Sequence, residues 1–106
     1  MRLDPQRRDV YVGIEGVAYT FLGRYEEAIP DLKRALALYS NAIPYHLYLI
    51  ACYVELSRNE EARAEAAEVM RINPKFSLAV QKQMSPIKEP LLRDRLYADV
   101  SKAGLK

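Results

Sequence analysis

Apolar positions along the chain recur at helical spacing. Near the C-terminal end, Leu92, Leu96 and Val100 fall at i, i+4 and i+8 with Tyr97 beside them, between Pro90 and Gly104. That is one amphipathic face, and it predicts a helix near 90–102. Upstream, one run of apolar and polar positions occurs twice: Tyr19-Thr-Phe-Leu-Gly-Arg-Tyr-Glu-Glu-Ala28 and Tyr53-Val-Glu-Leu-Ser-Arg-Asn-Glu-Glu-Ala62. Tyr19 matches Tyr53, Leu22 matches Leu56, Arg24 matches Arg58, and Glu26, Glu27 and Ala28 match Glu60, Glu61 and Ala62, always 34 residues on. At the same offset Tyr11 matches Tyr45 and Leu38 aligns with Ile72. A fixed period in this range signals stacked supersecondary units. The register predicts helices near 9–22, 25–39, 42–56 and 59–72.

The residues at the joints suit this layout. Gly23 allows a tight turn at little backbone cost. Ser57 and Asn59 serve in the equivalent turn, with Asn59 the expected N-cap. Gly16, Ala28 and Ala62 are small enough for paired helices to approach closely. Tyr19 and Tyr53 are expected between helices with their hydroxyls near the surface. The Glu26-Glu27 and Glu60-Glu61 pairs fall in first turns, where the helix dipole favours negative charge. Pro44 falls in a first turn and Asn73-Pro74 ends a helix. Pro30 lies about one turn into its helix, so an irregular start or a bend is expected there.

A 34-residue period resembles that of the tetratricopeptide (TPR) family. Gly16, Tyr19, Ala28 and Leu32 in the first unit, and Leu49, Tyr53, Ala62 and Pro74 in the second, fall on its motif positions. Val12 and His46 stand where Trp is usual, Glu15 where Leu is, Ile50 where Gly is, and Ser40 where Pro is. The resemblance covers about residues 9–76. It implies an all-α fold of antiparallel helix-hairpin repeats, an α-solenoid with a right-handed superhelix. A single TPR domain over 1–106 is expected: a remnant of a preceding repeat (1–8), repeat 1 (9–42), repeat 2 (43–76) and C-terminal capping helices (77–106). The remnant rests on Leu3-Asp4-Pro5, similar to the close of a unit. Phe76 to Met84 starts like another first helix and is interrupted by Ser85-Pro86.

Three short stretches, Arg24 to Ile29, Pro74 to Leu78 and Ser101 to Leu105, resemble the TPR tail of bacterial proteins with an N-terminal class III adenylate/guanylate cyclase domain. That implies a segment of a larger signalling protein. No cyclase residue transfers, because no part of the chain matches that domain.

Composition narrows the functional classes. The 106 residues are half apolar, over a quarter charged, and carry a net charge of +2. Basic and acidic residues are interspersed, so no nucleic-acid stripe is present. No apolar run reaches the ~18–20 residues of a membrane span, and the N-terminus has no signal-peptide core. The single cysteine, Cys52, has no disulfide partner within the chain. A cytoplasmic location is expected.

The search for chemistry yields none, and no enzyme, cofactor or metal is expected. His46, the single histidine, has no Cys or carboxylate pair at ligand spacing, so a packing role is expected. Cys52 falls where a small residue packs between helices, which suits a buried thiol and not a nucleophile. Adjacent glutamates on a helix diverge and do not form an acid–base pair. Most tyrosines fall on the first helix of each unit and read as structural, leaving Tyr39 and Tyr97 as candidates for exposed contacts.

By the family's register, Val10, Gly13, Val17, Thr20 and Phe21 of unit 1, and Pro44, Leu47, Ala51, Val54 and Glu55 of unit 2, line the concave side, with Leu78 and Gln81 added by the C-terminal extension. Related domains that clamp a chaperone's terminal carboxylate use Lys, Asn and Arg at such places. Here Gly13, Val17, Leu47 and Ala51 offer no side-chain hydrogen bond, so a carboxylate clamp is not expected. The implied partner is a protein or peptide, such as an amphipathic helix in an apolar groove, or a second copy as a homodimer. The other reading is an architectural spacer or dimerisation device whose inward face is covered by its own C-terminal helix or by a second copy.

Overall fold

The computed structural model describes residues 5–106, with side chains from residue 11 onward. The expected remnant over 1–8 therefore falls largely outside the described residues, and so does the side chain of Val10. Among the described residues six helices follow one another: α1 (Pro5–Phe21), α2 (Tyr25–Leu38), α3 (Ile43–Glu55), α4 (Asn59–Ile72), α5 (Leu78–Gln83) and α6 (Pro90–Lys102). Among the described residues there is no strand. The helices α1 and α2 form one hairpin, α3 and α4 a second, and α2 packs on α3 to join them.

The two hairpin turns are built alike. Gly23 has φ +76°, and Ser57, its equivalent, has φ +60°. In each turn the residue after it donates back to the tyrosine five positions earlier: Arg24 N–H to the Tyr19 carbonyl at 2.9 Å and Arg58 N–H to the Tyr53 carbonyl at 2.7 Å. Each arginine then lies over the ring of that tyrosine, 5.0 Å and 4.9 Å from the centroids. Each also pairs with a first-turn glutamate, Glu27 at 2.5 Å and Glu61 at 2.6 Å. These ion pairs are exposed, so water screens them and they fix geometry more than stability. Arg58 occupies the N-cap position of α4 without a side-chain cap, and Asn59 is the first helical residue, one place beyond its expected role. Pro30 sits inside an unbroken α2. The helix starts at Tyr25 just as α4 starts at Asn59, so the irregular start expected of it does not occur. Only the bond to the Glu26 carbonyl is forfeited, near a terminus where water can serve it.

The core runs through the middle of both hairpins. Leu32, Leu47, Leu49, Ile50, Cys52, Val69 and Val100 are its largest fully buried side chains. A Cβ on Gly16 would lie 2.9 Å from Leu32, so glycine is what lets α1 and α2 close on each other. The equivalent places in the second hairpin are Ile50 and Ala66, both buried. The bulk is thus exchanged across the hairpin, large against small in either sense.

The C-terminal segment folds back. Ser77 caps α5 by accepting the Val80 N–H. Glu89 caps α6 by accepting the Leu91 N–H, with Pro90 in the first turn. Helix α6 lies along α3, burying Leu96, Tyr97 and Val100. Gly104 (φ +104°) then turns the chain so that Leu105 is buried and the Lys106 carbonyl accepts the Leu78 N–H at 2.9 Å. The radius of gyration, 13.4 Å, is about that of a globular domain of this length.

Candidate protein-interaction surface

The expected concave residues divide into three groups. Gly13 is buried beneath Tyr45, and a Cβ there would come within 2.5 Å of the tyrosine oxygen. Thr20 is also buried. Its hydroxyl donates to the Gly16 carbonyl at 2.8 Å and lies 3.4 Å from Cys52 Sγ. These two residues join the first hairpin to α3. Leu47 and Ala51 are buried on the face of α3 that α6 packs against. Val17, Phe21, Val54 and Glu55 are half-buried, and Pro44 is exposed. Phe21 meets the Tyr48 ring edge-on, 5.6 Å between centroids.

Between the end of α1, the start of α2 and α6 there is a cleft of about 180 Å³. Its apolar wall comprises Phe21, Leu22, Ala51, Leu92 and Leu96, and its polar side Thr20, Tyr25, Arg95 and Asp99. Three of the expected concave residues, Thr20, Phe21 and Ala51, therefore line one opening, and α6 supplies the opposite wall.

A charged cluster holds that wall in place. Arg95 on α6 donates through two nitrogens to the Glu55 carboxylate on α3, Nε to Oε1 at 3.3 Å and the terminal nitrogen to Oε2. This pairing holds the Glu55 carboxyl below the usual range. Asp99, one turn along α6, is buried, and burial followed by its hydrogen bond to Glu55 pushes its carboxyl up to about 7. Below that pH the protonated form of Asp99 is favoured beside the Glu55 carboxylate, which the Tyr25 hydroxyl also faces. Of these four groups only Glu55 was singled out by sequence. Arg95 lies 40 positions from Glu55, and local spacing carries no signal for such a contact.

The remaining candidates have structural explanations. Burial pushes the Cys52 thiol up to about 11, so it is not a nucleophile at neutral pH. His46 ties α3 to α4 and to the connector after α2: its Nδ1 lies 2.7 Å from Glu65 Oε2, and its Nε2 donates to the Ser40 carbonyl at 2.9 Å. The Glu65 hydrogen bond raises its pKa, favouring imidazolium. Among the described residues no cluster of His, Cys, Asp and Glu could hold a metal ion, and no helix is long and apolar enough to cross a membrane. Tyr39 is exposed, as expected. Tyr97 is not: it is buried on α6 and its hydroxyl donates to the Gln81 carbonyl at 3.3 Å.

The family model described as tetratricopeptide repeat matches residues 22–83. No curated protein and no solved structure matches the chain.

Proposed function

Because the chain belongs to the tetratricopeptide repeat family, we propose that it is a non-catalytic protein-interaction module that receives one apolar face of a partner's amphipathic helix in the cleft between Phe21, Leu22, Leu92 and Leu96. The cleft itself is the observation that carries this reading. Its walls are apolar, its mouth is open, and Arg95 and Tyr25 at its edge can orient a polar flank. Within the expected concave set, Phe21 would contact the partner, the buried Thr20 and Ala51 would form the floor of the cleft, and Val17, Val54 and Glu55 would border it. Val10 is assigned by register alone. Gly13 and Leu47 act indirectly, by setting how closely the helices pack.

A second reading has its own support. Helix α6 lies over Leu47 and Ala51, so the inward face of the second unit is already served by the chain itself. That favours an architectural spacer or a homodimerisation device. The three stretches similar to cyclase-associated TPR tails support a place within a larger bacterial signalling protein under either reading.

A photo-crosslinking residue placed at position 22 or 92 tests the choice in cells. The interaction reading expects a discrete adduct with another protein, lost when Phe21→Ala is added. Adducts confined to a second copy favour the dimer, and no adduct at either position refutes a working cleft.

A further inference from the structure

The cleft between the first hairpin and α6 has a definite size and a definite polar end. Its volume is about 180 Å³. A cavity of about 150 Å³ holds a benzene ring, and one water's share of space is about 30 Å³. One ring bearing one polar atom therefore fits, and a row of several side chains does not. Phe21, Leu22, Leu92 and Leu96 supply an apolar surround for such a ring. At the polar end stand Arg95 and Asp99, the latter only 3% exposed. The pairing with Glu55 occupies two of the three Arg95 nitrogens, leaving the third able to donate. A protonated carboxyl bonded to Glu55 keeps acceptor capacity on its other oxygen. The polar end thus offers an acceptor and a donor side by side, the complement of a hydroxyl. With a proton on Asp99, the charges of Glu55, Arg95 and Asp99 sum to zero, so neither an anionic nor a cationic group is drawn in.

We propose that the cleft is a socket for one tyrosine side chain of the partner, its ring held between Phe21, Leu22, Leu92 and Leu96 and its hydroxyl donating to Asp99 and accepting from Arg95. This rests on the interaction reading above and deepens it: a single anchor, and not a continuous apolar stripe, carries the contact. Other anchors fit less well. Phenylalanine and leucine offer nothing to the polar end, whose groups would lose water without gaining a bond. Tryptophan brings a second ring for which the volume has no room. The mouth of the cleft is open, so the main chain carrying the tyrosine stays outside.

The test titrates the isotope-labelled 106-residue chain, followed by NMR, with N-acetyl-tyrosinamide, with N-acetyl-phenylalaninamide and with 4-methylphenol as the bare side chain. The proposal expects the tyrosine amide to shift the methyl signals of Leu22, Leu92 and Leu96 saturably, with a dissociation constant in the millimolar range. The phenylalanine amide should bind at least about fivefold more weakly, the value of one hydrogen bond. Asp99→Asn, which keeps an acceptor oxygen, should retain that preference. Asp99→Ala should abolish the preference while both amides still bind, and Leu92→Trp, which fills the cleft, should abolish both. Four results overturn the proposal: no saturable shift at these leucines, equal affinity for the two amides, a preference that survives Asp99→Ala, or binding of 4-methylphenol without the tyrosine amide, which would make a free phenol the occupant. The two amides are compared on the unaltered chain, so that comparison decides even where a variant does not fold. Adducts at positions 22 and 92 are read separately: a discrete adduct without a tyrosine preference leaves the interaction module standing and removes only its anchor.

Discussion

Asp99→Asn is the perturbation with the sharpest numerical consequence. Asp99 faces Glu55 from α3 and Tyr25 from α2, with Arg95 and Lys102 on its own helix. Its carboxyl, ordinarily near 3.8, is pushed up to about 7 in the folded chain. A carboxyl raised on folding stabilises the fold fully below its unfolded value and loses that contribution as pH rises through the folded one. Between pH 5 and 6 the folded chain holds one proton on Asp99 that the unfolded chain does not, so stability falls by up to about 1.4 kcal/mol per pH unit. Across the whole span, roughly three pH units, the ceiling is about 4 kcal/mol. This narrow window isolates the group. Other carboxylates in the unfolded chain are mostly ionised above pH 5. His46, whose raised pKa acts in the same direction, begins to matter only above about 6. The assay is urea and thermal unfolding by circular dichroism at pH 5.0, 5.5 and 6.0. Wild type should lose about 6–11 °C in Tm over that unit. Asp99→Asn, whose amide still donates to Glu55 but does not ionise, should be flat. A flat wild type, or a variant that keeps the slope, refutes the assignment of the buried proton.

Two further substitutions probe the repeat directly. Ser57 holds φ +60°, a conformation that costs a non-glycine residue about 1 kcal/mol, so Ser57→Gly should raise stability by about 0.5–1 kcal/mol in urea titrations; a loss would mean that the Ser57 side chain contributes something its geometry does not reveal. Gly16→Ile should destabilise by about 2 kcal/mol or more, because it drives a large side chain into Leu32. Adding Leu32→Ala copies the Ile50 and Ala66 arrangement of the second hairpin, and the pair should recover at least about 1 kcal/mol in a double-mutant cycle. Strict additivity would show that the two positions are not complementary.

The amino-acid pattern by itself determined the local structure of this protein. The 34-residue register placed α2 and α4 at equivalent starts, and the apolar face over 90–102 became α6, with Leu96, Tyr97 and Val100 all buried. Helix formation depends on neighbours three and four positions away and on the residues at the turns, so sequence reports it well. Even there, turn chemistry was blurred: Asn59 and Arg58 exchange roles because the backbone bond to Tyr53 closes the turn without a side-chain cap. Pro30 is tolerated because its lost bond lies near a helix end.

What only the tertiary structure decided is which surfaces meet. Leu47 and Ala51 are inward by register, yet α6 makes them core. Tyr97 looked available and is buried. His46 looked like a packing residue and is a polar bridge to Glu65 and Ser40. The cluster of Glu55, Arg95, Asp99 and Tyr25 joins three helices across gaps in sequence that no periodicity encodes. The physical reason is common to all of these. An amphipathic helix specifies that one face must be covered, but not by what. The choice among coverings rests on shape and on a few desolvated polar contacts, which exist only once distant segments are brought together.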